Sequence, residues 1–518
     1  MDFRQMALDE YNSDTCTTRR AGGNGNAFWN CNSSQFIFVP QFMFPSIPGV
    51  DKYIYTATDS TGEVCRFEDE TPIAPLTPIW PKLAVGFVTL TVEAYHARMD
   101  RHFLAGARTF YKAAPFPGRE ALPPRACSYS ECARRAFRYV FEAPEFRHWL
   151  EKGLPDPEYH FNAYPSKMIS AIVLAMIAYA ELDCDRAADA LKLAKNAADY
   201  LISITYDEAY ALNGVPPTYS FKGLNAEKIH QFAAAAGHRQ NSVMNIYPAD
   251  VGTAYLALEA ATGERKYFAA AQRIADYYKN TMLPEGSWYL LVDSKSGEPV
   301  SENRCLDFDI LSFIHRYYQR TGEAAFDRME RACYRYIREN SVDGYNWEGQ
   351  FEDSAVSANY TNLTHYNANK MISYIAENLA DDANMRTEAE ELMRFTEDQF
   401  VVWGEHAPWN HMMRDDSYWY SPAALEQYYW YVPIDASTSN FVTTFLDAYK
   451  ISENPLHLEK ALALADSITR MQNPKTGVIP THWMAKDCME NPDNFWINCH
   501  ISSAFAMMRA AKQMGEIV

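Results

Sequence analysis

Apolar and polar residues alternate in two different ways along the chain, and the change falls near residue 125. Before it, short β-rich runs are separated by Pro and Gly, and in "VTLTVEA", which begins at Val88, every second residue is apolar. From about Ser128 onward, apolar residues recur three and four positions apart, which is the period of amphipathic helices. The pattern predicts a β-rich N-terminal arm or cap, 1–125, and a helical domain, 126–518.

The helical part contains twelve predicted helices. Five of their connections are tight turns, such as "TGER" at Thr262, and tight turns join antiparallel neighbours. The other connections are long, roughly 15 to 46 residues, and each follows the second helix of a hairpin. The predicted helices are 129–150, 166–182, 185–203, 250–262, 265–281, 307–321, 324–340, 363–380, 384–402, 437–451, 455–472 and 498–515.

Strict alternation of long and short connections predicts the fold class. Six helical hairpins in succession form an (α/α)6 toroid, in which the first outer helix pairs with the last inner one. All long loops then lie on one rim, and such loops usually carry function. An α-solenoid is the alternative, but its repeats are shorter, roughly 34 to 47 residues, and have no one-sided insertions.

The long loops are rich in aromatic and ionisable residues rather than in Gly, Pro, Ser and Asn alone. Such side chains could bind a sugar by stacking and by hydrogen bonds. For each of them a structural role, as a core aromatic, a satisfied histidine or a surface ion pair, is the alternative. The candidate substrate-binding residues are Tyr164, Arg239, Tyr247, Trp347, His365, Trp409, Arg414, Tyr428, Trp430, His482, Trp483, Trp496 and His500.

Three glutamates in these loops are candidate catalytic residues. Cleavage of a glycosidic bond needs one carboxyl that stays protonated and one that stays charged. Glu426 precedes four aromatic residues in "EQYYWYVPID", which could shield it from water and keep it protonated. Glu405, in a more polar run, could supply the charged partner, and Glu348 is the third candidate. A carboxylate that caps backbone N–H groups is the alternative for each.

Composition and charge exclude several classes of partner. The net charge of -19 repels phosphate backbones and anionic lipids, so we expect neither nucleic acid nor membrane as a partner. The stretch Met168–Leu182 is too short for a bilayer and is expected to be a buried helix. The N-terminal residues lack the apolar stretch of a signal peptide, which favours a cytoplasmic protein with reduced cysteines. No nucleotide or metal motif occurs, so no cofactor and no metal is expected.

Several blocks of the sequence resemble a known family. The tail "EQYYWYVPIDASTSNFVTTFLDAY", with "ALADSITRMQNPKTGVIPTHW", "WINCH" and "EDQFVVWGEH", is similar to bacterial (α/α)6-barrel carbohydrate enzymes, and most of all to glycoside hydrolase family 154. The resemblance spans most of the chain from about residue 20. It implies exo-acting β-glucuronidase activity without a metal, often in gut bacteria. It assigns no catalytic residue in this chain.

The sequence thus favours a glycoside hydrolase that removes a terminal uronic acid from a glycoside or oligosaccharide. A uronate lyase acting by β-elimination, a sugar epimerase, an unsaturated glucuronyl hydrolase and a glycan-binding protein without activity remain alternatives. The apolar run "FIFVPQFMF" in the N-terminal part would be costly to expose, so a homo-oligomer is also expected.

Overall fold

The computed structural model describes residues 2–13, 33–225, 241–352, 356, 362–404, 419–491 and 494–517. These residues divide into two compact units. The first unit comprises Met1–Ala126, Asn359–Ser467 and His482–Lys486, and the second comprises Cys127–Ala358, Ile468–Thr481 and Asp487–Val518. The division into 1–125 and 126–518 that the sequence suggested stays a prediction.

Fourteen α-helices lie in the described residues, and most match the apolar periodicity. Each of the twelve predicted helices is present in the predicted order. The two additional helices arise because one predicted helix is divided in two and because the helix Phe3–Tyr11 was not predicted. The helices are α1 (Phe3–Tyr11), α2 (Tyr129–Glu142), α3 (Pro144–Lys152), α4 (Pro165–Leu182), α5 (Ala187–Ile204), α6 (Tyr247–Thr262), α7 (Arg265–Thr281), α8 (Phe308–Thr321), α9 (Ala324–Ile337), α10 (Tyr366–Asn378), α11 (Ala383–Phe400), α12 (Asp435–Ser452), α13 (Pro455–Met471) and α14 (Ile497–Gln513).

The predicted hairpins are present. Five connections of two to four residues join α4 to α5, α6 to α7, α8 to α9, α10 to α11 and α12 to α13. In the second unit α14, the last helix, packs against α2, the first of the series, as predicted for this fold class. Gly263 and Gly322 follow α6 and α8 with φ of 74° and 70°, a left-handed conformation that glycine adopts without strain and that ends a helix sharply.

Two helical features differ from the prediction. The segment 129–150 was expected to be one helix, but it breaks at Ala143, whose extended backbone precedes Pro144. Proline disfavours a helical conformation in the residue before it and is well tolerated in the first turn of a new helix, so a second helix starts there. Helix α1 was not predicted, because its nine residues are too few to give a clear period.

The N-terminal β-rich prediction is confirmed by a five-stranded sheet in the first unit. Its strands are β1 (Gln35–Phe36), β2 (Lys52–Thr58), β3 (Val64–Asp69), β4 (Gly86–His96) and β5 (Arg101–Lys112), in the order β1-β5-β4-β2-β3. Only β1, which pairs with the end of β5, runs parallel to its neighbour. Five short strands in the loops were not predicted: β6 (Ser242–Met244), β7 (Leu291–Asp293), β8 (Val401–Val402), β9 (Ala423–Gln427) and β10 (Trp430–Pro433).

Helix α4 is the one described helix with the length and hydropathy to cross a membrane. In the second unit it packs against α2, α5, α6 and α14, and 61% of the tested stretch is buried inside the protein. A mostly buried core helix also has the length and hydropathy that a membrane-spanning helix requires.

A buried lysine joins three helices of the first unit. Lys460 of α13 is 2% exposed, and its Nζ lies 2.8 Å from Glu397 Oε2 on α11 and 3.2 Å from Glu10 Oε2 on α1. Trp403 Nε1 donates to the other oxygen of Glu397 at 2.9 Å. Burial raises the pKa of the Glu397 carboxyl even beside this ammonium. Lys460 therefore links both carboxylates and fixes α1 on the unit, and Arg394 Nη2 lies a further 3.9 Å from Glu10 Oε1.

We expect Lys460→Met to lower the free energy of unfolding by about 3–5 kcal/mol, because Glu397 then loses its cation and Glu10 keeps only the more distant Arg394. Urea denaturation at neutral pH measures this loss. Lys266→Met is the matched control, since Lys266 pairs with Asp199 and Glu264 at the surface and should cost less than about 1 kcal/mol. Equal losses in the two variants would contradict the assignment.

Candidate active site

The first turns of three helices in the second unit bring chemical groups together. Lys167 is the third residue of α4, Tyr247 is the first residue of α6, and Trp496 directly precedes α14. Lys167 Nζ lies 6.0 Å from the centre of the Tyr247 ring and 5.4 Å from that of Trp496. Helix N-termini carry unpaired N–H groups and a partial positive charge, so this is an environment that favours an anion.

The anion is Glu352, which the sequence analysis did not select. Its Oε1 lies 2.6 Å from Lys167 Nζ, and its Oε2 accepts a hydrogen bond from the Tyr247 hydroxyl. The Tyr219 hydroxyl donates to the backbone oxygen of Glu352 at 2.8 Å. The carboxylate side chain is 0% exposed, whereas that of Lys167 is 21% exposed. The ion pair is thus buried at one end and reaches solvent at the other.

Glu352 is held in its charged form. Burial alone would raise the pKa of this carboxyl, but the charge of Lys167 and the hydrogen bonds from Lys167 and Tyr247 outweigh burial and hold the pKa below its ordinary value. A carboxylate that stays ionised in a buried site is a group that can act as a nucleophile or as a general base.

Two aromatic rings, Tyr247 and Trp496, lie near the ammonium of Lys167, and further rings pack against Trp496. Trp496, which is half-buried, lies 4.3 Å from the ring of Phe161 and 6.3 Å from that of Tyr164. Tyr164 in turn contacts Tyr219 edge to face at 5.5 Å. Three predicted binding residues, Tyr164, Tyr247 and Trp496, therefore lie together with Lys167 and Glu352. We call these five residues the Glu352 cluster.

Trp347 and Glu348 lie on the same loop as Glu352 and are 2% and 1% exposed. The backbone N–H of Glu348 donates to Asn346 Oδ1 at 3.3 Å. Tyr345, just before them, has φ of 59°, a left-handed conformation that costs energy for a residue with a side chain. Strained backbone of this kind is concentrated at functional sites, which supports the choice of this loop.

Two predicted histidines are fully buried. His500 in the second unit accepts the Ile479 N–H at Nδ1 and lies 3.0 Å from the Ala136 oxygen through Nε2, and burial lowers its pKa to about 4. His365 in the first unit lies 2.9 Å from Ser437 Oγ, and burial lowers its pKa to about 3. Both rings are therefore neutral at pH 7. A sugar could reach either ring only after local rearrangement.

The remaining predicted residues of the first unit have mixed exposure. Glu426 is half-buried on β9, and its backbone oxygen accepts from Thr364 Oγ1 at 3.3 Å. The Tyr428 hydroxyl donates to Gln399 Oε1 at 2.6 Å. Trp430 is 36% exposed, and its ring lies 5.8 Å from that of His482, whereas Trp483 is 0% exposed. The catalytic role of Glu426 stays a prediction.

Four predicted residues lie outside the described part of the chain. They are Arg239, Glu405, Trp409 and Arg414. Their roles stay predictions. Glu352 was missed because it stands among Glu348 and Asp353 in a run where no periodicity separates one acidic side chain from another. Only its pairing with Lys167, 185 positions earlier, distinguishes it.

Glu352→Gln tests whether this carboxylate is ionised in the folded protein. Because the folded-state pKa lies below the unfolded one, its pairing stabilises the protein above about pH 4.5, and this stabilisation is lost as the pH falls through the folded-state pKa. We expect the variant to be less stable by roughly 2 kcal/mol at neutral pH. Thermal unfolding of both proteins from neutral to acid pH should show the difference shrinking.

Glu68→Gln provides the control for that experiment. Glu68 pairs with Lys52 at the surface, where both side chains are more than a third exposed. The stability of Glu68→Gln should therefore stay close to that of the parent protein at every pH. If the stability difference between the parent protein and Glu352→Gln does not change with pH, the Glu352 carboxyl is not charged in the folded state.

Comparison with solved structures identifies the fold. D-mannose isomerase superposes with a TM-score of 0.51 at 10% identity, covering 74% of this chain and 97% of that one. Cellobiose 2-epimerase from Spirochaeta thermophila DSM 6192 superposes with a TM-score of 0.48 at 14% identity, covering 74% of this chain and 98% of that one. An unsaturated glucuronyl hydrolase specific for heparin superposes with a TM-score of 0.46 at 10% identity, covering 75% of this chain and 97% of that one.

No protein-family model matches the sequence, and no curated protein matches it either. The narrower resemblance to glycoside hydrolase family 154 therefore stays a prediction. The structural likeness agrees with the helical hairpins and the N-terminal sheet described above. The chain has the (α/α)6 fold that the alternation of its loops predicts.

Proposed function

We propose that this protein is a carbohydrate-active enzyme, namely a glycoside hydrolase that removes a terminal uronic acid, with β-glucuronides as its first substrates to test. The Glu352 cluster is the proposed centre. The observation that carries the proposal is the charged Glu352 carboxylate, buried against Lys167 and Tyr247 and bordered by the half-buried ring of Trp496.

Lys167 is the proposed contact for the substrate's carboxylate. A chain with a net charge of -19 needs a local cation to hold an acidic sugar, and the Lys167 side chain, which carries such a cation, is 21% exposed. A uronate that shares this ammonium would weaken the hold of Lys167 on Glu352. The bound acid would thereby help to free the carboxylate that acts on it.

Glu352 is the proposed charged partner of the carboxyl pair. It would either attack the anomeric carbon or take a proton from the attacking water, depending on its distance from the second carboxyl. Glu348, four positions earlier on the same loop and 1% exposed, is the preferred acid that gives a proton to the leaving oxygen. Glu426 with Glu405, the pair that the sequence suggested, remains the alternative to Glu352 with Glu348.

Trp496 is the proposed platform for the sugar ring. Its half-buried indole lies beside the Lys167 ammonium, so a ring stacked on it would have its carboxylate near the cation. The rings of Phe161 and Tyr164 contact the indole and hold it in place. This arrangement would orient the anomeric carbon relative to Glu352.

A uronate lyase is the second candidate, and one contact favours it. The Tyr247 hydroxyl is hydrogen-bonded to Glu352 and lies near Lys167, so a phenol, a carboxylate and a cation meet at one point. In β-elimination a tyrosine can take the proton beside the uronate carboxylate while a cation neutralises that carboxylate. Ultraviolet absorbance of an unsaturated product would distinguish this reaction from hydrolysis.

The purified protein should release p-nitrophenol from p-nitrophenyl β-glucuronide. Glu352→Gln should lower kcat by about 10³-fold or more, since a neutral amide can neither attack nor accept a proton. Glu330→Gln is the matched control: Glu330 is 9% exposed and pairs with His315 away from the cluster, so its loss should leave kcat within about threefold. No turnover across aryl uronides and hexosides would refute the proposed hydrolase.

Trp496→Ala should raise KM by about 10-fold or more and change kcat less, because it removes a stacking surface worth about 1–2 kcal/mol and no reacting group. Steady-state kinetics on the same glucuronide separate the two constants. Tyr210→Ala, which removes a 37% exposed aromatic ring elsewhere in the second unit, should leave both constants unchanged. A fall in kcat alone in Trp496→Ala would contradict the platform role.

A further inference from the structure

The sheet of the first unit has two faces of different character. The inner face is apolar and closed, with Val88, Leu90 and Val92 of β4 all 0% exposed. The outer face has small neutral residues at its centre, which the strand register places side by side on β2, β4 and β5. We call this surface the threonine face; it comprises Thr58, Thr89, Thr91, Ala107 and Thr109.

Large apolar side chains border the threonine face. Val64 on β3 is 61% exposed, Phe87 on β4 is 36% exposed and Leu104 on β5 is 66% exposed. Of thirteen large apolar residues exposed in the described part of the chain, seven lie between Val64 and Leu104. Three of the seven, Val64, Phe87 and Leu104, lie on the side of the sheet that carries the threonine face. Exposed apolar surface gathered in one region is typical of an interaction site.

A β-bulge directs Leu104 to this face. Val92 pairs with Gly106 and Glu93 with Leu104, so Ala105 is an extra residue on β5. Without the extra residue the alternation would turn the side chain of Leu104 to the inner face. Bulges of this kind are local features that re-aim side chains. The bulge thus extends the apolar border to the tip of the β4–β5 hairpin.

Charged residues beside the threonine face balance in number: the register places Lys52 and Arg66 on the same side of the sheet as Glu68 and Glu93. Lys52 lies 2.8 Å from Glu68, and His102 lies 3.9 Å from Glu93. The centre of the face carries no charge. This matters because two chains of net charge -19 repel each other wherever acidic surfaces meet. A neutral central patch whose surrounding charges balance in number is the kind of surface that a second copy can approach.

The size of the face suits a dimer of moderate affinity. The face spans four strands that lie about 4.8 Å apart. Each strand contributes about seven residues with a rise of about 3.3 Å per residue, so the flat area of the face is on the order of 450 Å². A standard interface buries roughly 800 Å² per partner, counted over a corrugated surface. Met99 in the β4–β5 turn is also 58% exposed, whereas Phe103 pairs with the buried Ala94 and so belongs to the other side of the sheet.

We propose that two copies of this chain associate through the threonine face, sheet against sheet about a twofold axis. The same residues then meet their own counterparts, which requires a patch without net charge. Stacked sheets lie about 10 Å apart, so short Thr and Ala side chains fill the centre while Val64, Phe87 and Leu104 seal the border. The proposal is independent of the activity of the second unit.

Analytical ultracentrifugation tests the proposal across micromolar concentrations. The chain should approach twice its mass of 59.1 kDa as concentration rises. Thr91→Glu with Leu104→Glu should weaken association roughly 100-fold, because the twofold axis brings like charges together. A parent protein that stays at the mass of one chain throughout, or a double variant that still dimerises like the parent, would overturn it.

Further variants separate folding from association. Ala107→Glu, at an exposed position of the face, should dissociate the dimer by an independent change, with unchanged circular dichroism and thermal midpoint. Thr91→Val keeps the shape and should leave association equal or stronger. Leu154→Glu and Val300→Glu, at residues 54% and 52% exposed in the second unit, should not change the mass. Dissociation by either of these two would place the interface elsewhere and refute the proposal.

Discussion

The structure of the candidate site depends on the cost of burying a charge. A carboxylate removed from water loses several kcal/mol unless a cation and hydrogen-bond donors replace the lost solvation. Glu352 has Lys167 on one oxygen and Tyr247 on the other. These residues come from the loop after α9 and from the first turns of α4 and α6. Each element must therefore be placed correctly before the charge can be buried at all.

The same constraint operates in the first unit with a different outcome. Lys460 is 2% exposed and is enclosed between Glu397 and Glu10, so its three N–H donors face protein. Lys167 instead keeps about a fifth of its side chain exposed. A fully enclosed ion pair stabilises an arrangement, whereas one with an accessible cation can also exchange its partner for a ligand. This difference in access separates the structural pair from the proposed functional pair.

Periodicity predicted much of the fold because it reports burial directly. Helices α7 to α9 lie within a few residues of the predicted segments and strand β4 contains the predicted alternating run, since each has one mainly apolar face. The break between α2 and α3 was missed although Pro144 indicates it, because the apolar period continues across the proline. The site was harder to predict: His500 and Trp496 stand four positions apart in one loop-to-helix segment, and only coordinates show that one is enclosed and the other half-exposed.

The aromatic run that follows Glu426 shows why local density is a poor guide to a binding surface. Tyr428 and Tyr431 pack against Phe400, whereas Tyr429 and Trp430 are 46% and 36% exposed. A hairpin turn between β9 and β10 distributes consecutive rings to opposite sides, so four adjacent aromatics do not make one wall. The rings around Lys167 come instead from positions 161, 164, 247 and 496, which only the packing of helix ends brings together. Convergence of distant residues on one buried charge, rather than aromatic content in sequence, is the property on which the proposed sugar site rests.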